Sequence, residues 1–301
     1  MAMSKGPVIL LTLFLHFSLH WEGCERKGGG VTPRPTSAPA TQPARPPFVE
    51  DLLFVPVTVG GAEAGMWLID TGATTSVVGA SSPAAARIAT LPMQANATAP
   101  SGVAKVRMGV ASDVRFLNRV VEELAVIELD LRPAAAMMRR AFDGVLGVNA
   151  LGSVYRLDFP NGRFLPGPFA EGTEGVLSFN WAGGAERPTV LGRINGKEAR
   201  LTVDSGKNRV LNVNRAWLEE NNIAFEESKA GLGLDAAGVG RQSRTKVASL
   251  EALGRTRAEV VAILGERPSG GSDGLIGVGL LRDAVIEINT GARTIRVLWV
   301  R

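Results

Sequence analysis

The chain has 301 residues, of which 45% are apolar and 21% charged, with 36 glycines and few aromatic side chains. This composition is typical of a folded, turn-rich globular protein and excludes a fibrous or wholly disordered chain. The net charge of +4 comes mostly from the first 48 residues, because residues 49–301 carry 28 basic and 27 acidic side chains. With no concentrated basic face, the sequence does not indicate a nucleic-acid-binding protein.

Residues 1–24 are typical of an export signal. Lys5 precedes an apolar run at 7–19 that is too short to span a bilayer comfortably. The single cysteine, Cys24, follows this run where a bacterial lipoprotein signal carries its lipidated cysteine, although the residues before it fit that signal poorly. Lipidation of Cys24, with a membrane tether, and plain cleavage nearby both stay open. Either outcome predicts an exported protein that is periplasmic, envelope-anchored or secreted.

Residues 25–48 predict a disordered tether. The segment consists largely of Gly, Pro, Thr, Ser and Ala. Such a segment cannot bury enough apolar surface to offset the entropy lost on ordering.

The histidines narrow the chemistry that the chain can perform. Both of them, His16 and His20, lie within the export signal. Mechanisms of the Ser-His-Asp and Cys-His types need an imidazole base, and the usual zinc sites need His or Cys ligands. Any catalysis must therefore depend on carboxylates, lysines or hydroxyls.

The body of the chain contains an internal repeat. An apolar, strand-like run at 66–69 leads into Asp-Thr-Gly at 70–72, and a similar run at 199–203 leads into Asp-Ser-Gly at 204–206. Each run follows a glycine turn, as the second strand of a hairpin does. Two copies of so short a motif in matched surroundings are much stronger evidence for a functional loop than one copy.

A second landmark follows each copy at nearly the same distance. Asp143 lies 73 residues after Asp70, and Asp273 lies 69 residues after Asp204; each begins an Asp-Gly-apolar-apolar-Gly motif. A final hairpin ends each copy. The repeat predicts an N-terminal lobe at 49–165, a linker at 166–186 and a C-terminal lobe at 187–301, with short helices at 132–142 and 214–221.

These motifs resemble the retropepsin-like lobe of the aspartic peptidases, duplicated in one chain as in the pepsin-like enzymes. The resemblance covers the whole body of the chain. It implies an all-β fold of two similar closed, barrel-like lobes with short helices. Each lobe would then contribute one Asp-Thr/Ser-Gly loop to a shared site.

The resemblance also implies roles for individual residues. Asp70 and Asp204 would form the catalytic pair, because two adjacent carboxyls share one proton and can act together as acid and base. The residues that would support this pair are the hydroxyls Thr71 and Ser205, which hydrogen-bond across the interface, and Gly72 and Gly206, which leave room for backbone amides.

Lys207 departs from the family pattern, since a small or hydroxyl residue usually follows the glycine. Its ammonium group either points at Asp204 and modulates the pKa of that carboxyl, or extends outward to solvent. The sequence also leaves open which hairpin would cover substrate. The candidates are residues 97–110 and 230–245.

The predicted function is that of an aspartic endopeptidase, which hydrolyses a polypeptide substrate with a water activated by Asp70 and Asp204. The resemblance implies that this reaction needs no metal and no cofactor. Lys207 motivates an alternative, a catalytically inactive exported protein that binds peptides with the same fold. Since one chain supplies both Asp motifs, we expect a monomer.

Overall fold

The computed structural model describes residues 10–12, 17–18, 52–99, 102–183, 185, 187–235, 238–265 and 271–300. Side chains are described for 52–92, 105–183, 185, 187–228, 242–265 and 271–300. Cys24 and the predicted tether at 25–48 lie outside the described residues, as does most of the predicted export signal. Within the described part of the chain, no helix is long and apolar enough to cross a membrane.

The first half of the chain is mostly strands. They are β1 (Leu10–Thr12), β2 (Phe17–Ser18), β3 (Phe54–Val59), β4 (Ala62–Ile69), β5 (Ser76–Gly79), β6 (Ile88–Ala99), β7 (Gly102–Phe116), β8 (Arg119–Leu129), β9 (Gly144–Leu146), β10 (Val154–Asp158) and β11 (Arg163–Pro166). The helices here are a 3-10 helix at Ala85–Arg87, α1 (Arg132–Met138) and α2 (Val148–Leu151).

Six of these strands close into a barrel. Their order is β7-β3-β4-β9-β5-β8, and β8 pairs back to β7. The short strands β5 and β9 are buried along their whole length, which explains their continuous apolar sequences. Strand β9 runs parallel to β4, with Trp67 opposite Gly144.

The second half repeats this pattern. Its strands are β12 (Leu177–Asn180), β13 (Thr189–Ile194), β14 (Lys197–Asp204), β15 (Leu211–Asn214), β16 (Ser228–Asp235), β17 (Gly238–Ala252), β18 (Arg255–Gly265), β19 (Gly274–Gly277), β20 (Ala284–Asn289) and β21 (Thr294–Trp299). Its helices are α3 (Arg215–Glu220) and α4 (Val278–Leu281).

The second barrel has the strand order β13-β14-β19-β15-β18-β17 and closes by pairing of β13 with β17. This is the order of the first barrel, strand for strand, including the parallel pair β14 and β19. The turn between β13 and β14 is Asn195-Gly196, with φ of 50° and 75°. Two positive φ values at Asn-Gly are the requirement of a tight hairpin turn. The predicted all-β fold with two similar closed lobes and short helices is confirmed.

A third sheet joins the two halves. Its order is β11-β10-β20-β21-β12, so the final hairpins of both repeats pair edge to edge. Strand β12 comes from the segment predicted as a linker, 166–186, and pairs with β21. The two barrels are therefore held by continuous backbone hydrogen bonding as well as by contacts between them.

Each barrel carries a long hairpin at the place where the sequence analysis put a candidate cover. In the first barrel it is formed by β6 and β7, and in the second by β16 and β17. The short strand β1 pairs in parallel with β6, and β2 pairs antiparallel with β16. The assignment of these hairpins as substrate covers stays a prediction.

Candidate active site

The two Asp-Thr/Ser-Gly loops lie at equivalent ends of equivalent strands. Asp70 follows the end of β4, and Asp204 is the last residue of β14. The neighbouring parallel strand supports the first loop, because the Asp70 N–H donates to the Leu146 carbonyl at 3.0 Å. Both loops are therefore positioned by buried central strands, whose geometry varies little.

The second landmark of each repeat aligns these parallel strands. The Asp143 carboxylate accepts a hydrogen bond from the Met66 N–H at 3.2 Å, and the Asp273 carboxylate accepts one from the Arg200 N–H at 2.8 Å. The sequence analysis found both aspartates as markers of the repeat but did not predict this supporting contact.

Each candidate catalytic carboxyl is held through one oxygen. Asp70 Oδ1 accepts from the N–H groups of Gly72 at 2.7 Å and Ala73 at 3.2 Å, and Asp204 Oδ1 accepts from the Gly206 N–H at 3.0 Å. The two facing carboxyls hydrogen-bond to each other, and no other donor among the described residues reaches the Oδ2 atom of either one. Oδ2 is therefore the oxygen of each carboxyl that is available for chemistry.

The two loops face each other closely. A Cβ atom added at Gly72 would lie 2.6 Å from the Asp204 Cγ, and one added at Gly206 would lie 2.5 Å from the Asp70 Cγ. Both distances are too short for non-bonded carbon atoms, so only glycine fits at these two positions. Each glycine thus makes room for the carboxyl of the opposite loop.

Four hydrogen bonds connect the loops across the interface. The Thr71 hydroxyl donates to the Val203 carbonyl at 2.7 Å and accepts from the Ser205 N–H at 3.0 Å. The Ser205 hydroxyl donates to the Ile69 carbonyl at 2.8 Å and accepts from the Thr71 N–H at 3.0 Å. Thr71 and Ser205 are completely buried, so these bonds are protected from water.

The Thr71 hydroxyl should contribute strongly to stability. In Thr71→Val the Val203 carbonyl and the Ser205 N–H lose their partner inside the protein, at about 1–3 kcal/mol for each group. We expect the free energy of unfolding, measured in urea, to fall by about 2–6 kcal/mol. Thr71→Ser keeps the hydroxyl and is the matched control. Equal stability of the Val and Ser variants would contradict a stabilising role for these bonds.

Burial and charge make the two carboxyls unequal. Burial raises the pKa of Asp70 well above its ordinary value, and the negative charge of Asp204 raises it further. Burial also raises the pKa of Asp204, but the positive charges of Lys207 and Arg187 oppose that rise. The neighbouring cations therefore favour ionisation of Asp204 over ionisation of Asp70.

The structure turns Lys207 inward. Its side chain is completely buried, and its charge is the largest influence that lowers the pKa of Asp204. The outward orientation, which the sequence left open, is not the one found.

Arg187 is a component of the site that the sequence analysis missed. It is 3% exposed, and its Nη1 donates to the Gly72 carbonyl in the opposite loop at 3.2 Å. Leu53 and Pro188 are equivalent positions of the two lobes, because the carbonyl of each accepts a hydrogen bond from the residue just before the candidate catalytic aspartate of its lobe. Arg187 therefore occupies the position that Leu52 has in the first lobe. Alignment of the two repeats in sequence would have pointed to Arg187, because a charged residue stands there in place of an apolar one.

No group of three or more His, Cys, Asp or Glu side chains in the described part of the chain could hold a metal ion. The expectation that the chemistry needs no metal does not depend on this finding, because it comes from the resemblance of the two Asp loops to those of the aspartic peptidases.

Comparison with known proteins agrees with the architecture. A family model described as aspartyl protease matches residues 55–150, which covers the first barrel from β3 to α2. No curated protein matches the chain. The second barrel repeats the strand order of the first and ends its equivalent strand in the equivalent loop. The first barrel is therefore similar to the aspartyl protease family, and the shared strand order of the two barrels is consistent with a retropepsin-like lobe duplicated in one polypeptide.

Proposed function

We propose that this protein is an endopeptidase that hydrolyses peptide bonds with a water activated by Asp70 and Asp204. The observation that carries the proposal is the juxtaposition of two buried carboxyls, each fixed through Oδ1 with Oδ2 left for chemistry. Such a pair can hold one proton and serve as acid and base at once.

The unequal environment of the pair assigns the roles. Asp204, next to Lys207 and Arg187, is the base that takes a proton from water while the hydroxyl oxygen attacks the carbonyl carbon of the substrate. Asp70 gives its proton to the carbonyl oxygen, which forms a tetrahedral diol. Asp204 then passes its proton to the amine nitrogen as the C–N bond breaks, and a diol hydroxyl returns a proton to Asp70.

The partner of this reaction is an extended polypeptide, bound in part through main-chain hydrogen bonds to a strand edge. We infer that the protein acts as a monomer, since one chain holds both loops. The apolar run at 7–19 and the Pro- and Gly-rich segment after it support a site of action outside the cytoplasm.

The buried Lys207 favours a second candidate, a peptide-binding protein that does not cleave. A cation this close to Asp204 could keep that carboxylate from exchanging protons with water and substrate.

One experiment separates the two candidates. The purified chain is incubated with a peptide library from acidic to neutral pH, and new termini are identified by mass spectrometry. We expect cleavage within peptides, at sites that share side-chain preferences. A folded protein that retains peptides but yields no new termini at any pH would support the binding protein.

A further inference from the structure

A second feature of the C-terminal lobe lies beside the catalytic loop. It is a cavity of about 310 Å³ formed by the segment after Lys207, by β17 and β18, and by the end of α4. Among the residues whose side chains the structure describes, four arginines and one acidic residue, Glu259, line it; the arginines are Arg209, Arg244, Arg257 and Arg282. We call this cavity the arginine pocket.

The first lobe shows that the fold does not require these arginines. Strand register and the packing of the equivalent glycines of the two lobes identify the matching positions of the two barrels. The residues at those positions in the first lobe are Thr75, Met108, Val121 and Gly152. All four basic residues are therefore additions to one lobe, which points to a role in binding.

The lining carries an excess of three positive charges. Guanidinium groups that line one cavity repel one another, and an anion in the pocket lowers that repulsion. Arginine also presents a planar fork of donors that matches a carboxylate or a phosphate with two parallel hydrogen bonds. The chemistry of the arginine pocket therefore favours an oxyanion.

The arginine pocket is tied to the catalytic loop by backbone contacts. Arg209 is five residues after Asp204, and its carbonyl accepts from the Gly279 N–H at 3.3 Å. A Cβ atom at Gly279 would lie 2.8 Å from the Arg209 backbone, so the backbones at Gly279 and Arg209 are in close contact in the wall of the pocket. The Lys207 carbonyl is held in the same way by the Val278 N–H at 2.7 Å. An occupant of the pocket thus lies along the loop that carries Asp204.

We propose that the arginine pocket binds an acidic side chain of the polypeptide that the Asp70–Asp204 pair hydrolyses. The identity of this occupant rests on the proposed function. The pocket would then select substrates with Glu or Asp at one position near the scissile bond.

Cleavage kinetics test the selection. A peptide cleaved by the protein is resynthesised with Glu, and separately with Gln, at each position on either side of the scissile bond. At one position we expect kcat/KM to be about tenfold higher for Glu than for Gln, mainly through KM, since a charge-assisted hydrogen bond has that strength. Arg257→Gln combined with Arg282→Gln should remove this preference, so that kcat/KM becomes the same for the Glu and Gln peptides.

Matched variants separate charge from structure. Arg257→Lys combined with Arg282→Lys keeps the charges and should keep part of the preference. Arg193→Gln removes an exposed arginine of β13, outside the pocket, and should keep all of it. Equal kcat/KM for the Glu and Gln peptides at every position would overturn the proposal and leave the endopeptidase assignment standing.

A binding measurement does not depend on cleavage. Calorimetry with the Asp70→Asn chain compares a pool of peptides containing Glu and Asp with the same pool containing Gln and Asn. We expect the acidic pool to bind about tenfold more tightly, to lose this advantage in the double Gln variant, and to compete with inorganic phosphate. That result without cleavage by the parent would refute the endopeptidase but keep the pocket. Phosphate binding without a preference for acidic peptides would refute the pocket as a substrate site.

Discussion

Replacing either Asp70 or Asp204 with Asn should lower kcat/KM for peptide hydrolysis by about a thousandfold or more, the scale of losing a general acid or base. Asn cannot take up or release the shared proton. It keeps a side-chain oxygen that can accept the backbone N–H groups of the loop. The measurement is hydrolysis of one defined peptide from acidic to neutral pH.

Stability measurements show whether Asp70→Asn loses activity because the shared proton is missing or because the protein is unfolded. Burial raises the pKa of Asp70, so the folded chain binds this proton more tightly than the unfolded chain. The stability that depends on the proton is therefore present at low pH and falls as pH rises from the ordinary carboxyl value through the raised value. Asp70→Asn has no such group to ionise, and at neutral pH we expect it to be at least as stable as the parent.

Asp283→Asn is the matched control, because Asp283 is an exposed carboxyl outside the site. It should retain full activity. Hydrolysis by a folded Asp204→Asn protein at the parent rate would exclude the two-carboxylate mechanism.

Replacing Lys207 with Met should move the acid limb of the pH–rate profile to higher pH. The lysine charge lowers the pKa of Asp204, so removing it lets burial raise that pKa further. In the Met variant Asp204 therefore becomes protonated at a higher pH than in the parent. As the solution is acidified, the pair becomes doubly protonated, and so loses its active, singly protonated form, at that higher pH. Activity in acid should fall more than activity near neutral pH.

Met is close to Lys in length and fills the buried space without a charge. Lys197→Met is the control, because Lys197 is an exposed lysine at the start of β14, the strand that ends at Asp204, and it should leave the profile unchanged. An unchanged acid limb in Lys207→Met would show that the lysine does not act on Asp204. Higher activity than the parent at every pH would show instead that Lys207 suppresses catalysis, in support of the peptide-binding candidate.

The repeat made the architecture predictable. Asp70 and Asp204 each follow an apolar run, and an Asp-Gly-apolar-apolar-Gly motif follows each at a similar distance. A duplicated pattern of this kind requires two similar units, and the apolar runs around it require buried strands. Two closed barrels with the same strand order are what the structure contains.

The sheet that joins the lobes was not predictable in this way. In sequence the final hairpin of each repeat looks complete by itself, because its two strands are joined by a turn and hydrogen-bond to each other along their inner edges. Its free edge has no signature in sequence, so the pairing of β10 with β20 and of β12 with β21 appears only in three dimensions.

By itself, the sequence determined the two-lobed fold, the pair of Asp loops and the exclusion of histidine chemistry, since these depend on residue types at fixed local spacing. The tertiary structure decided which charges surround the pair. Lys207 points inward, and Arg187 reaches the opposite loop from a position that is Leu52 in the first lobe. The direction of a long side chain is set by the groups packed around it, and those groups come from strands far apart in the chain.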